Sequence, residues 1–365
     1  MIPPPPPPVL VTPGTAMGHV VVAVGANTTT LGVRVDGRAV RGIRVRRAPA
    51  RLAVPLPVGL HEVRFRARGG GGVRWSAARS IWVLPRSAQR SKGIGGRVDA
   101  RLQRDVDAII RRFPAIGGVY VQHLVTGCGA AANAGAKFPA ASTLKAAILL
   151  AAERRGAARP SAGLLDQMIV DSSDRAANQV LGILGGGSPM VGAGRVTDTL
   201  RAMGLRDSLV RRPYIIDAAL HRRAPEIPVR TTAQPALFTN FITTPYELAR
   251  IMVAVHRGMR GAGPLPRIGI RPRTIRTEIV PRLLRVRDRS KIVAGVPAGV
   301  LVAHKSGYNT NVKSDGGIVY LRSGPVAVVA MSWSASGVSD GTGDRFVADI
   351  ARAAVARLGG GGRCA

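Results

Sequence analysis

Residues 19–84 alternate apolar and polar positions in short runs. HVVVAV (19–24), LGVRV (31–35), RLAVPL (51–56), HEVRFRAR (61–68) and RSIWVL (79–84) each fit the two-residue period of a strand. In HEVRFRAR, Val63, Phe65 and Ala67 share one face, and Arg64, Arg66 and Arg68 share the other. Asp36-Gly37 is a hairpin dipeptide, and Gly69–Gly72 reads as a loop. About five to seven short strands in this span predict a small all-β, immunoglobulin-like sandwich over 19–86. No convergent polar cluster marks it, so it reads as a spacer or wall-facing module. Ahead of it lies a Pro-rich segment, 1–18, in which Pro3–Pro8 predict an extended polyproline spacer.

SAQRSKGIGG (87–96) is polar and Gly-rich, a linker composition. Beyond it the period lengthens. Apolar residues at 98, 102, 106, 109 and 110 predict a helix from Val98 to Phe113. GGVYVQHLVTG (117–127) reads as a strand and turn, and Thr143–Arg155 as a helix. Helices and loops follow to about residue 290. VLVAHKSG (300–307), DGGIVYLR (315–322) and PVAVVAMSW (325–333) then predict three strands, the last two joined by Ser323-Gly324. Asp344 is placed to cap a final helix, Arg345–Leu358, with a buried stripe of Phe346, Ile350, Ala354 and Leu358. This order predicts an α+β domain over 97–361, a mainly antiparallel sheet flanked by helices, with a short tail at 362–365.

Composition is ordinary except in charge. Apolar residues make up 46% of the 365, enough for a real core. No apolar run reaches the ~18 residues of a membrane span. The net charge is +33, carried by 47 arginines and only six lysines. Such a surface can attract polyanions. No basic run is interleaved with aromatics, so no specific nucleic-acid partner is expected, and the arginines read as solvated positions. Residues 1–96 hold 15 basic and 2 acidic side chains. The histidines form no H-x-x-x-H pair and the two cysteines no metal-ligand spacing, so neither a metal nor another cofactor is expected. The amino terminus shows no charged-then-apolar leader pattern.

Three short motifs carry candidate chemistry. In Ser142-Thr143-Leu144-Lys145, Pro139 stops the preceding segment and Ser142 opens a helix. Lys145, three residues on, shares its face. A serine hydroxyl needs a base, and a lysine serves as one only if burial and a nearby cation depress its pKa. An N-cap serine followed by an exposed lysine is the plainer reading of this motif alone. In Ser172-Ser173-Asp174, a serine and a polar residue two positions on can line one cleft wall; a polar helix start is the plainer reading. In His304-Lys305-Ser306-Gly307, strand alternation turns Lys305 away from His304, which lets it supply the second cation. Gly307 lets a ligand lie close to the strand.

In this order, S-x-x-K, S-x-[ND] and K-[ST]-G resemble the signature of class A β-lactamases and penicillin-binding proteins. The flanks FPAASTLKAAILLA, DSSDRAANQVL and TTPYELARIMVAVHRG resemble family segments too. The resemblance covers 97–361 and implies a β-lactamase-like serine hydrolase. It implies Ser142 as the acylated nucleophile, Lys145 as base or proton relay, and Ser172 as proton shuttle to the leaving nitrogen. Asp174 then stands where Asn usually meets a substrate amide. Lys305, Ser306 and Gly307 bind the substrate, its carboxylate falling to Lys305 and Ser306. The backbone N–H groups of Ser142 and Tyr308 form an oxyanion hole. The implied substrate is a β-lactam or related amide or ester; the alternative is a penicillin-binding-protein-like peptidase acting on peptidoglycan peptides and slow to deacylate. An extracytoplasmic monomer, and a disulfide between Cys128 and Cys364, also follow from the resemblance. Two features depart from the family. Asp174 offers an acceptor where an amide donor is usual. The family's E-x-x-L-N loop, whose Glu activates the deacylating water, has no match; Glu226, the one glutamate between Asn178 and Thr243, is the candidate for that catalytic role, and a loop carboxylate paired with a neighbouring arginine is its plainer reading.

Overall fold

The structure is a computed structural model, and it describes residues 2–154, 156–216, 240–360 and 364. Glu226 lies outside the described residues. The chain divides into two compact units, Met1–Gln89 with Arg276–Pro281, and Arg90–Ile275 with Arg282–Ala365.

The first unit contains nine strands: β1 (Val9–Leu10), β2 (Thr15–Met17), β3 (His19–Val24), β4 (Thr30–Val35), β5 (Arg38–Arg44), β6 (Ala50–Pro55), β7 (Gly59–Gly69), β8 (Gly72–Trp75) and β9 (Arg79–Leu84). They form a three-stranded sheet, β1-β3-β6, and a six-stranded one, β2-β9-β7-β4-β5 with β8 paired to β7. Val20, Val22 and Val54 from the first sheet share one core with Leu31, Val33, Val63, Phe65, Ile81 and Val83 from the second. The Asp36-Gly37 hairpin joins β4 to β5, and both residues take the positive φ that such a turn requires.

Two details differ from the sequence reading. Strands begin at Val9, ten residues before His19, because Val9–Leu10 and Thr15–Met17 are too short to show a period. The proline run is not a free spacer either. Pro5 and Pro8 are buried, and the run packs closely on Gly25, Gly69 and Gly71.

The second unit is built on a six-stranded sheet. Its members are β10 (Arg97–Val98), β11 (Ile116–His123), β12 (Cys128–Ala132), β16 (Leu301–Tyr308), β17 (Lys313–Tyr320) and β18 (Pro325–Trp333), in the order β10-β12-β11-β18-β17-β16. All pairings are antiparallel except β10 with β12. A smaller sheet joins β13 (Phe138–Pro139), β15 (Phe241–Thr243) and β14 (Leu209–Val210).

Helix α1 (Ala100–Arg112) and the C-terminal helix (Asp340–Leu358) cover one face of the large sheet. Leu102 and Val106 from α1 meet Phe346, Ile350, Ala354 and Leu358 over Val119, Val121, Val326 and Val328. Val98 is a correction: it belongs to β10 and is exposed, because Asp99, whose side chain accepts from Leu102 N–H, starts the helix after it. The last helix likewise begins earlier than predicted, capped by Ser339 through Thr342 N–H; Asp344 lies inside it and pairs with Lys291. The helix Pro245–Gly258 packs against β11, β17 and β18, with Leu248 over Gly316. Thr244 caps it, and Pro245 sits in its first turn. The mixed sheet-and-helix architecture is the expected α+β class.

Candidate active site

Ser142 lies in a 3-10 turn, Ala141–Leu144, that runs straight into α2 (Lys145–Ala152). Pro139 ends β13, and Ala140 N–H donates to Phe241 O, which fixes where the turn starts. Ala141 has a φ of +44°, which L side chains adopt at a cost of about 1–2 kcal/mol. All of α2 is buried, so Lys145 has no route to solvent along its own helix.

Lys145 Nζ is 2.9 Å from Ser142 Oγ and 2.6 Å from Asp174 Oδ1. It also donates to the carbonyl of Ser172 and lies 3.4 Å from Ser172 Oγ. Its ammonium sits 4.7 Å from the centroid of the Tyr214 ring. Burial depresses its pKa, and the Asp174 carboxylate opposes that shift without cancelling it.

Ser172 precedes the helix Asp174–Leu184, whose N-cap is Ser173. Ser172 itself has a φ of +61°. That left-handed turn brings its hydroxyl to Lys305 Nζ, at 2.8 Å. One hydroxyl therefore stands between two amines. Lys305 is fully buried and also donates to Ser306 O at 2.7 Å. Its pKa is pushed down to about 7 by burial first and the neighbouring Lys145 second, while Asp315 and Asp288 hold it up. Repulsion between the two ammonium groups is mutual, so both lysines are depressed and their protons leave as a coupled pair.

Gly307 explains how strand β16 comes so close. A Cβ there would stand 2.8 Å from the backbone nitrogens of Ser142 and Thr143 and 2.9 Å from Ala140 O. Tyr308 follows and is exposed; Lys291 and Lys313 lie 5.4 and 5.6 Å from its ring centroid. Ser306 is buried, and its side chain helps hold the Asp288 carboxylate. Burial works against the Asp288 charge, but Lys291 at 2.7 Å, with Ser290 and Ser306, holds that carboxyl well below the usual range. Asp315 supports β16 from behind through His304 Nδ1, at 2.9 Å.

The structure thus gathers Ser142, Lys145, Ser172, Asp174, Lys305 and Gly307 at one place, with Tyr308 at its edge. Ser306, between Lys305 and Gly307, is buried. Among the described residues, Asp174 is the one carboxylate hydrogen-bonded to the Ser142–Lys145–Ser172 cluster. Two residues of this site were missed in the sequence. Tyr214 Oη donates to Ala141 O at 3.2 Å, and its ring stacks on Phe241. Asn178 holds the Tyr214 backbone with a reciprocal pair, Nδ2 to O and N–H to Oδ1, each 2.7 Å. Asn178 follows Asp174 by one helical turn, which is a usable signal; Tyr214 carries none.

Chemically, a hydroxyl beside a depressed amine can lose its proton, and a second hydroxyl between two amines can pass one on. Cys128 and Cys364, 236 residues apart in the sequence, are disulfide-bonded. The described residues hold no cluster of His, Cys, Asp or Glu that could bind a metal, and none of their helices is long and apolar enough to cross a membrane.

No curated protein sequence matches the chain. Solved structures do. PBP-A aligns over 72% of this chain and 97% of its own, with 21% identity and a TM-score of 0.55. An ancestral class A β-lactamase, GNCA, covers 70% of this chain and 99% of its own, with 20% identity and a TM-score of 0.54. A β-lactamase from Xanthomonas campestris pv. campestris covers 70% and 96%, with 17% identity and a TM-score of 0.53. At these identities the likeness is one of fold. The model of the β-lactamase enzyme family matches residues 101–161 and 153–358, most of the chain. The three ordered motifs lie within that match, and the chain belongs to the β-lactamase enzyme family, an α+β serine hydrolase.

Proposed function

We propose that this protein is a class A-like serine hydrolase acylated at Ser142 by β-lactams or a related amide or ester. The observation that carries the reading is the buried Lys145 amine 2.9 Å from Ser142 Oγ, linked through Ser172 to Lys305. Neutral Lys145 takes the Ser142 proton, and Oγ attacks the carbonyl carbon. The oxyanion is met by the backbone N–H groups of Ser142 and Tyr308. As the C–N bond breaks, the nitrogen takes a proton from Ser172, which is resupplied from the lysine pair. Water then hydrolyses the ester. The fully buried Lys305 acts in this relay, and in its protonated form it draws a substrate carboxylate toward β16. Asp174 tunes Lys145, since its Oδ1 is spent on that amine.

A specific feature favours slow release. No E-x-x-L-N loop occurs, and Asp174 is engaged with Lys145, which supports the second reading, a penicillin-binding-protein-like peptidase that deacylates slowly. One solved relative of the fold is a PBP-A mutant in an acyl-enzyme complex with penicillin G. Intact-protein mass after mixing with penicillin G tests the reading. A covalent adduct that persists for many minutes is expected; a chain that never gains the mass of penicillin contradicts acylation, and one that clears it at many turnovers per second contradicts slow release.

The same reading assigns 97–361 to the catalytic domain, 87–96 to a linker and 19–86 to an immunoglobulin-like sandwich. It also makes the protein an extracytoplasmic monomer, supported by the disulfide, which persists in oxidising compartments.

A further inference from the structure

Releasing an acyl group from Ser142 needs more than forming the ester does. A water oxygen must bond to the ester carbonyl carbon while an acceptor takes its proton, and Ser142 Oγ then leaves and regains a proton. Tyr214 closes one side of the site to such a water. The centroid of its ring lies 4.7 Å from Lys145 Nζ. A water bonded to that amine at about 2.8 Å and touching the ring face at about 3.5 Å would need about 6 Å between them. No water fits there, so the amine is dry on its Tyr214 side.

The ring is tied to three separate elements. Asn178, on the helix Asp174–Leu184, pins the Tyr214 backbone with both atoms of its amide, each at 2.7 Å. Phe241, in β15, stacks on the ring at 4.0 Å with the planes 20° apart. The Tyr214 hydroxyl donates at 3.2 Å to the carbonyl of Ala141, the residue before the nucleophile. Asp174 and Asn178 stand one helical turn apart on the same helix face. One helix therefore sets Asp174 against Lys145 and holds Tyr214 beside the same amine.

Tyr214 offers water no base in return for the space it takes. Burial, and then the Asp174 charge, raise the phenol well above its ordinary range, so it stays protonated. Its proton is already directed at Ala141 O. Asp174 is committed to Lys145 at 2.6 Å. On this side the described residues give a water neither room nor a proton acceptor. Acylation does not need that space, because Lys145 lies 2.9 Å from Ser142 Oγ and takes its proton directly.

We propose that Tyr214 is the residue that keeps the acyl-enzyme long-lived: its ring fills the place beside Lys145 where a hydrolytic water and its base would stand. This rests on the reading of Ser142 as the acylated nucleophile, and it assigns slow release to a named side chain.

The test follows release alone. Full-length protein is acylated with penicillin G, the excess is removed, and loss of the penicilloyl mass is timed. Tyr214→Ala empties the ring volume and should lose the adduct about tenfold faster than wild type. Formate, a base small enough for the emptied space, should speed that release by about a further tenfold, saturate with concentration, and leave wild type unaffected. Tyr214→Phe keeps the ring and should restore slow release. Asn178→Ala keeps the tyrosine but removes its backbone clamp, and should release several-fold faster than wild type; it carries the comparison if Tyr214→Ala takes up no penicillin.

Release at the wild-type rate from Tyr214→Ala, with no response to formate, would overturn the proposal. If only Asn178→Ala forms an adduct, the wild-type rate from it would do the same. Release from Tyr214→Phe as fast as from Tyr214→Ala would place the effect in the hydroxyl and overturn the role of the ring. Rapid release by wild type would overturn it as well. A wild type that never gains the penicilloyl mass contradicts the catalytic reading and this proposal together. Failure in the release rates alone leaves acylation at Ser142 standing.

Discussion

Ser172 is held between Lys145 and Lys305, and the chemistry of the pair follows from their mutual repulsion in a buried place. With Lys305 depressed to about 7, the pair loses its first proton near neutrality. Below that pH both amines are charged and no base is available; above it Lys305 is neutral and can take the Lys145 proton through Ser172, which frees Lys145 as the base. The acylation rate should therefore rise with pH through about 7, as measured by stopped-flow at saturating penicillin. Lys305→Ala removes the repulsion, so Lys145 becomes harder to deprotonate and the rising limb moves to more alkaline pH. An unmoved limb would separate the two lysines. Asp174→Asn acts in the opposite sense. It takes away the anion that stabilises the Lys145 ammonium, so the limb should move to lower pH; a shift upward would contradict the role given to Asp174. At this scale Ser142, Lys145, Ser172 and Lys305 were legible because motif order restricts them. Tyr214 was not, since a lone tyrosine in a loop has no pattern. Nor was the fate of the Ser306 hydroxyl, because its partner Asp288 lies 18 residues away in a segment without a period.

The elements of the catalytic unit were legible where their faces are consistently apolar, as in the Phe346–Leu358 stripe and the strands β16 to β18. Their ends were not. Asp344 is a good N-cap residue, but Ser339 lies upstream, its hydroxyl accepts from Thr342 N–H, and it starts the helix first. β5 was missed because six of its seven residues are exposed, so no apolar alternation announced it. The contact of strand β16 with the Ser142 turn depends on a single glycine. Gly307→Val would drive carbon into the backbone of Ala140, Ser142 and Thr143, and neither side is a flexible tip. Overpacking of this kind costs about 1–3 kcal/mol. Acylation should slow at least tenfold with a lowered melting temperature. Wild-type acylation by the variant would mean that the strand does not pack on the turn as described.

For the whole molecule, the broad class was legible: an all-β region first, a mixed sheet-and-helix region after it. Membership of Arg276–Pro281 in the first compact unit was not, because it is a contact far from local sequence. The Cys128–Cys364 bond closes a loop between residues 236 positions apart. Long loops lose much unfolded-state entropy when closed, and removing such a bond costs about 2–5 kcal/mol. Cys128→Ser should therefore lower the melting temperature clearly, and a thiol assay on the denatured, unreduced wild type should find no free thiol. Two free thiols would contradict the bond. The central claim is covalent chemistry at Ser142, and the place of the adduct tests it most directly. Trypsin cuts after Lys137 and Lys145, so the peptide Phe138–Lys145 isolates Ser142 with the buried Thr143 as its other hydroxyl. After incubation with penicillin G, this peptide should carry the penicilloyl mass on Ser142 by fragmentation, and Ser142→Ala should carry none anywhere. An adduct on another peptide, or one that survives in Ser142→Ala, would contradict the account.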